Sequence, residues 1–287
     1  MRSTTGSTPP SARAVRRVAV VTHGRTDAIG PALERVEALA AGAGVELVFP
    51  PDEMLKHELP GASHELAEAE IVLVLGGDGT MLRALQRLLG SGVPVIGVNF
   101  GRVGFLTAIG ADELDRQLLR VFAGEYHVIE LPALEVELNG DRRAAVNDVV
   151  AASATVGRIV ELSWTVGDED MGQQACDGII CATPPGSTAY NLSNGGPVLV
   201  WGLDAFAVTF IAPHSLHARS MVVPRGLDVV VTNETRDVAA TVLFDGRRLG
   251  EIPPAGRAVV RLGEERSLLA TLPEVTFFRR YRETFGS

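Results

Sequence analysis

Lysine is nearly missing from this chain. Lys56 is the only one; arginine supplies every other basic side chain. A Walker-type phosphate loop ends in Gly-Lys followed by Ser or Thr, and no such tripeptide occurs. Any phosphate must therefore meet backbone N–H groups, arginine or a metal ion. Cysteine is almost as rare, with only Cys176 and Cys181. That is too few for a secreted disulfide framework. A structural zinc site needs four ligands at recognisable spacing, and the six histidines are scattered. The cysteines read as small apolar strand residues, which fits a reducing, cytoplasmic setting. No apolar run approaches the roughly 20 residues of a membrane helix. The stretch from Met1 to Arg17 is rich in Ser, Thr, Pro and Arg and lacks the apolar core of a secretion signal, so residues 1–16 are expected to be a disordered lead-in. Net positive charge is also lacking. At a formal charge of -9 the chain repels phosphate backbones, and neither nucleic acid nor membrane is an expected partner.

What is present divides into two patterns. From residue 17 to 124, strand and helix alternate. Val18–Thr22, Val45–Phe49, Ile71–Leu75 and Val93–Val98 are short, β-branched and apolar, as buried strands are. Pro31–Ala41, Met81–Leu89 and Asp112–Phe122 carry helical spacing. Such alternation predicts an α/β domain with a parallel sheet covered on both faces. From 125 to 272 the helices vanish. Leu134–Leu138, Ala144–Ala151, Ile159–Val166, Gly178–Ala182, Ala207–Ile211, Leu227–Thr232, Ala239–Phe244, Ala258–Leu262 and Leu268–Leu272 read as strands separated by turns such as Asn139-Gly140 and Asp245-Gly246. This part is expected to be an all-β domain, an antiparallel sandwich. Residues 273–287 mix aromatics with arginine and read as a tail docked on the body.

Three constellations carry chemistry. Gly76-Gly77-Asp78-Gly79-Thr80 stands between the most apolar strand and a helix. The carboxyl ends of parallel strands are where open α/β sheets bind ligands, bare glycine backbone lets N–H groups approach phosphate closely, and the helix start favours anions. Gly76, Gly77, Gly79, Thr80 and, further along the helix, Arg83 are the phosphate candidates. Asp78 would repel phosphate unless it has a chemical role there, either taking a proton from an attacking hydroxyl or holding Mg2+. An Asp-Gly turn in which Asp78 caps the helix is the other reading. The second constellation is the strand and loop from Asp177 to Pro197, rich in glycine and hydroxyl residues, costly to order without a ligand. Tyr190 could stack on a base, and Ser187, Thr188 and Ser193 could bond ribose hydroxyls. The third is Asn147-Asp148, a polar pair inside the apolar strand Ala144–Ala151. A carboxylate buried there needs a partner, and adjacent ribose hydroxyls would serve.

Taken in order, Gly76-Gly-Asp-Gly-Thr80, Gly97-Val-Asn-Phe-Gly-Arg-Val-Gly-Phe-Leu-Thr107, Asn147-Asp148, Gly186-Ser-Thr-Ala-Tyr190 with Gly195-Gly-Pro197, and Pro213-His-Ser-Leu216 resemble the NAD kinase family over roughly residues 16 to 275. The resemblance implies a flavodoxin-like (Rossmann-like) α/β domain, a β-sandwich that forms a homodimer or homotetramer, and a tail that returns to the first domain. It implies phosphorylation of the adenosine ribose 2′-hydroxyl of NAD by ATP with Mg2+ or another divalent metal, giving NADP. By the same resemblance Asp78 is the catalytic aspartate. Asp78, Gly79, Asn147, Asp148, Arg158, Asp177, Thr188, Ala189, Tyr190, Ser193, Ala212 and Arg247 are the positions expected to meet NAD.

The sequence departs from the family pattern in places. The family usually has Glu where Asp148 stands, often Arg or Lys at Ala175, Gln at Arg247, and Ser and Thr at Ala182 and Pro185. The missing cation at 175 raises the expectation that Arg247 or Arg158 substitutes for it. Two other readings of these motifs are a catalytically silent NADP-binding sensor and a lipid kinase of the diacylglycerol type. Polyphosphate as donor, NADH as acceptor and any allosteric ligand are left open by the residues.

Overall fold

A computed structural model describes residues 7–8, 13–24, 26–100 and 104–286, with backbone alone at 7–8 and 26–28. Most of the lead-in expected to be disordered, and Gly101-Arg102-Val103 of the second motif, lie outside the described residues. The chain forms two compact units: Met1–Glu130 with Ser267–Ser287, and Leu131–Arg266. The changeovers fall six residues later and six residues earlier than the pattern break at 124/125 and 272/273. They fall inside strands, where composition does not change.

The first unit is α/β. Its parallel strands run in the order Glu46–Val48, Arg17–Thr22, Ile71–Leu75, Pro94–Asn99, and Leu268 and Leu269 extend the sheet in parallel register beside Pro94 and Val95. Ile71–Leu75 is buried at every position, which explains its unbroken apolar sequence: both faces are covered. Ile71, Leu73, Leu75, Ile96 and Val98 pack with Ile29, Leu33 and Val36 of helix Thr26–Ala43 and with Leu114, Leu118 and Val121 of helix Leu114–Phe122. Helix Asp78–Arg87 buries Met81, Ala84 and Leu85 outside that cluster and packs on the same strands, covering the opposite face. Pro51–Lys56 is a short helix that its polar, Pro-containing sequence did not announce. The tail is a helix, Phe277–Phe285, started by the Thr276 hydroxyl, which accepts from the Arg279 N–H.

The second unit is built of antiparallel sheets. Met221–Pro224, Ala205–Ile211, Gly178–Ala182, Asp148–Ser153, Ala240–Phe244 and Arg247–Ile252 form one sheet in that order. Glu169–Cys176, Val160–Val166, Val229–Asn233 and the first part of Arg257–Thr271 form another. One core holds Val149, Ala151, Ile179, Phe206 and Val242 from the first together with Leu162, Trp164, Val231 and Val260 from the second. Burial pushes the thiols of Cys176 and Cys181 up to about 12, so both are inert apolar packing.

Three expectations for this unit need correction. The strand expected over Ala144–Ala151 is two strands, Asp141–Ala145 and Asp148–Ser153, because the chain turns a corner at Val146-Asn147. Ala258–Leu262 and Leu268–Leu272 are parts of one strand, Arg257–Thr271; the polar stretch Gly263–Arg266 reads as a turn only until its pairing partners are known. Helices do not vanish entirely after Gly124, since Gly186–Thr188 and Tyr190–Ser193 are single helical turns. Strands Glu169–Cys176, Met221–Pro224 and Arg247–Ile252 have too little apolar alternation to be read from sequence.

Candidate functional site

In the α/β unit the glycine turn follows the buried strand Ile71–Leu75 and opens helix Asp78–Arg87, with Gly77 as its N-cap. Gly79 is exposed and Thr80 buried. Arg83 is exposed and donates to the Thr80 hydroxyl at 3.3 Å. Asp78 does not cap its own helix. Its carboxylate accepts the backbone N–H of Phe105 at 2.8 Å and of Leu106 at 3.1 Å. A side chain at Gly104 would overlap that carboxylate, so the close approach requires glycine there. Burial raises the Asp78 pKa, while the amides and the Arg280 charge oppose the rise. The group is aimed, partly desolvated and basic, as a proton acceptor should be.

In the β unit three loops converge at one end of the six-stranded sheet. Asp245 supplies the joint. Its carboxylate accepts from Val146 N (2.7 Å), Asn147 N (2.7 Å) and Asp148 N (3.1 Å), folding the corner that presents Asn147 and Asp148. Thr183 donates its N–H to the Asn147 carbonyl at 2.9 Å. Its hydroxyl bonds Val146 O at 2.5 Å and accepts from Gly186 N at 3.2 Å. A Cβ on Gly186 would strike the Asn147 carbonyl, which accounts for the glycine. Asn191 is fully buried and ties the helical turns down: it donates to Ser187 O and Pro197 O and accepts from Thr209. Thr188 and Ala189 are half-buried, while Tyr190 and Ser193 are exposed beside them. The Asn147 side-chain oxygen is buried without a hydrogen-bond partner among the described residues, which is costly unless a ligand donates to it. Asp148 is only 8% exposed. Burial, then the Asp245 charge, pushes it up to about 7.

The remaining candidates lie elsewhere. Gly178–Ala182 pairs Ala182 with Asp148 and Gly178 with Ala152. Asp177, whose carbonyl accepts from Ser153 N, therefore stands at the far end of that strand, roughly 17 Å of extended chain away. Ala212 follows Ile211 there with a positive φ of 44°. Arg158 is exposed and paired with Asp237 at 2.8 Å. Arg247 is exposed at the Asp148 end, just after the Asp245-Gly246 turn. Ala175 belongs to the Asp177 end, its carbonyl accepting from His214 N. Within one chain, then, Arg158 rather than Arg247 shares an end with the missing cation. In the sequence Asp245 reads only as a turn residue, and Asn191 and Arg280 do not stand out. The isolated Asp and Asn carry no motif signal, and their partners come from distant parts of the chain.

Comparison with known proteins gives one family. Residues 35–126 match the family model described as ATP-NAD kinase N-terminal domain, and residues 146–272 the ATP-NAD kinase C-terminal domain. The chain is 36% identical to an NAD kinase of Heliobacterium modesticaldum over 80% of this chain and 83% of that one. It is 34% identical to NAD kinase 2 of Streptomyces avermitilis over 94% of each. Among solved structures, a yeast NADH kinase complexed with NADH superposes with a TM-score of 0.81 at 20% identity, over 96% of this chain and 89% of that one, a likeness of fold. An Archaeoglobus fulgidus NAD kinase in complex with ATP gives 0.74 at 28% identity, over 94% and 97%.

Proposed function

The chain belongs to the NAD kinase family, and from that premise we propose that it phosphorylates the adenosine ribose 2′-hydroxyl of NAD directly from ATP. The observation that carries the mechanism is the Asp78 carboxylate, held by two backbone amides beside a glycine turn that opens a helix. The 2′-hydroxyl attacks the γ-phosphorus of ATP. The O–P bond to the new oxygen forms as the bond to the β-γ bridging oxygen breaks, and Asp78 takes the hydroxyl proton. The N–H groups of Gly76 and Thr80 are spent on the carbonyls of Val98 and Gly77, so those of Gly77 and Gly79 at the helix start face the phosphates. The work is mostly positioning, as phosphoryl transfer requires.

A divalent cation of the Mg2+ class takes oxygen ligands and is commonly held by one or two carboxylates plus substrate phosphates. The Asp78 carboxylate is taken up by the Phe105 and Leu106 amides and by the proton it accepts. Among the described residues no three His, Cys, Asp or Glu side chains cluster, so ATP itself would supply most of the ligands. The ion, when bound, neutralises charge on the phosphates.

On the acceptor side, Asp148 and Asn147 hold ribose hydroxyls, Tyr190 packs against a ring, and Thr188, Ala189 and Ser193 line the approach. Asp177, Ala212 and Arg158 stand at the opposite end of their sheet. We place them against NAD bound to a second copy, in a homodimer or homotetramer formed through the β unit, which we read as a sandwich; the α/β unit we read as flavodoxin-like. Purified protein with NAD, ATP and Mg2+, scored for NADP by an NADP-specific dehydrogenase, tests the activity. Dinucleotide binding without NADP formation would leave a silent sensor in its place, and phosphorylation of diacylglycerol instead of NAD would leave a lipid kinase.

Arg247 provides a smaller test. An exposed charge on phosphate contributes little, so Arg247→Gln should weaken NADP binding by about fivefold or less at low salt, with the difference fading as salt screens it. Titration calorimetry at two ionic strengths reads both. Equal affinity for the two proteins at low salt would make Arg247 a solvated turn residue.

A further inference from the structure

We propose that Arg280, on the C-terminal helix, is a positioning residue for Asp78: it fixes the segment whose amides hold the carboxylate. The proposal rests on the reading of Asp78 as the proton acceptor. Phe105 and Leu106 donate their N–H groups to Asp78. The next residue, Thr107, gives its carbonyl to the Arg280 guanidinium. Phe105 is also held through its ring, packed against Phe277 at 6.1 Å and Phe285 at 5.5 Å between centroids. The terminal helix thus grips both ends of the Phe105–Thr107 segment, whose first two N–H groups point at Asp78. The helix is itself anchored: Arg120 joins Glu274, just before it, to Glu125.

Docking a helix does not require a buried cation. Arg280 is only 7% exposed, and its Nε has no hydrogen-bond partner among the described residues. An apolar side chain of similar volume would pack there without that desolvation cost. The guanidinium gains a carbonyl contact and a position from which its charge reaches Asp78. Glu283, 3.5 Å from Arg280, and Arg279 act on Arg280 itself. The Arg280 charge favours the ionised, proton-accepting form of Asp78. Its loss should therefore both loosen the carboxylate and move its titration upward.

The test is steady-state kinetics of the full chain with NAD, ATP and Mg2+ across pH. Arg280→Met should lower kcat roughly tenfold or more, since misplacement of a reacting group by about 1 Å costs up to 100-fold. The KM for NAD should change by less than about threefold, because binding groups are untouched. The acid limb of the kcat profile should move to higher pH. Arg280→Lys keeps the charge and one donor, and should restore the acid limb and part of kcat. A folded Arg280→Met protein with wild-type kcat and acid limb overturns the proposal. If that variant does not fold, Phe285→Ala carries the test: its ring is 41% exposed, so folding tolerates its loss. It should lower kcat and leave the acid limb in place, and an unchanged kcat overturns the proposal. Asp78→Asn in the same assay separates the two ideas. If it turns over normally, the Asp78 reading fails and this one with it; if it is dead while Arg280→Met is normal, only the role of Arg280 falls.

Discussion

Asp78→Asn should abolish most turnover and leave dinucleotide binding nearly intact. The substitution preserves shape and removes basicity. Loss of a general base costs about 10²–10⁴ in rate, and more where the carboxylate also holds a metal-bound phosphate. The amide oxygen can keep one of the two backbone N–H bonds now shared by the carboxylate oxygens. Its NH2 group would face the other N–H, so a modest loss of stability accompanies the loss of rate. The two are separable. Single-turnover measurements report the chemical step, and calorimetric titration with NAD reports binding. NADP formation by Asp78→Asn at near wild-type rate would remove Asp78 from the mechanism, and an equal collapse of NAD affinity would make it a binding residue instead.

Asp148 should show its role in two opposite directions. If its carboxylate holds ribose hydroxyls, Asp148→Ala raises the KM for NAD far more than that for ATP. A hydrogen bond to a charged group contributes about 1.5–3 kcal/mol, or about 10- to 150-fold in affinity. Stability should move the other way. The folded pKa of Asp148 is pushed up to about 7 from an ordinary 3.8, by burial and by Asp245. The folded state therefore binds more protons than the unfolded state between those values. Its stability falls as pH rises from about 4 through about 7. Asp148→Asn removes that penalty. Its melting temperature should exceed that of the wild type at pH 8, and the gap should shrink toward pH 5. The same variant should bind NAD more weakly. A side chain that costs stability and gains affinity has a functional rather than a structural role. A wild-type KM for NAD in Asp148→Ala, or a melting gap independent of pH, would contradict this account.

Much of the candidate site is legible because its signals are local. Gly76-Gly77-Asp78-Gly79-Thr80 declares itself by composition and by lying between a buried strand and a helix, two features a short window of sequence contains. Thr183 to Pro197, after the strand Gly178–Ala182, is equally visible as a long loop of glycine and hydroxyl residues. The corner at Asn147 is hidden in the sequence for the converse reason. Val149 and Val150 continue a β-branched pattern, and nothing nearby shows that Asp245, 98 residues away, draws in three consecutive backbone N–H groups. The segment Gly263–Arg266 failed in the same way, its polar composition outweighed by strand pairing on either side of it.

By itself the sequence determined the two-part architecture, the parallel sheet buried on both faces, the glycine turn with its one carboxylate, and membership of a family whose motifs it carries in order. Each follows from periodicity or from residue types at short spacing. Tertiary structure alone decided how the acids are used. Asp78 accepts from Phe105 and Leu106 instead of capping its own helix. Asp245 became the joint that presents Asn147 and Asp148. The tail became a helix whose Arg280 reaches the Thr107 carbonyl. The physical reason is that a carboxylate or guanidinium takes whichever donors or acceptors the fold brings within about 3 Å, and those partners lie far away along the chain.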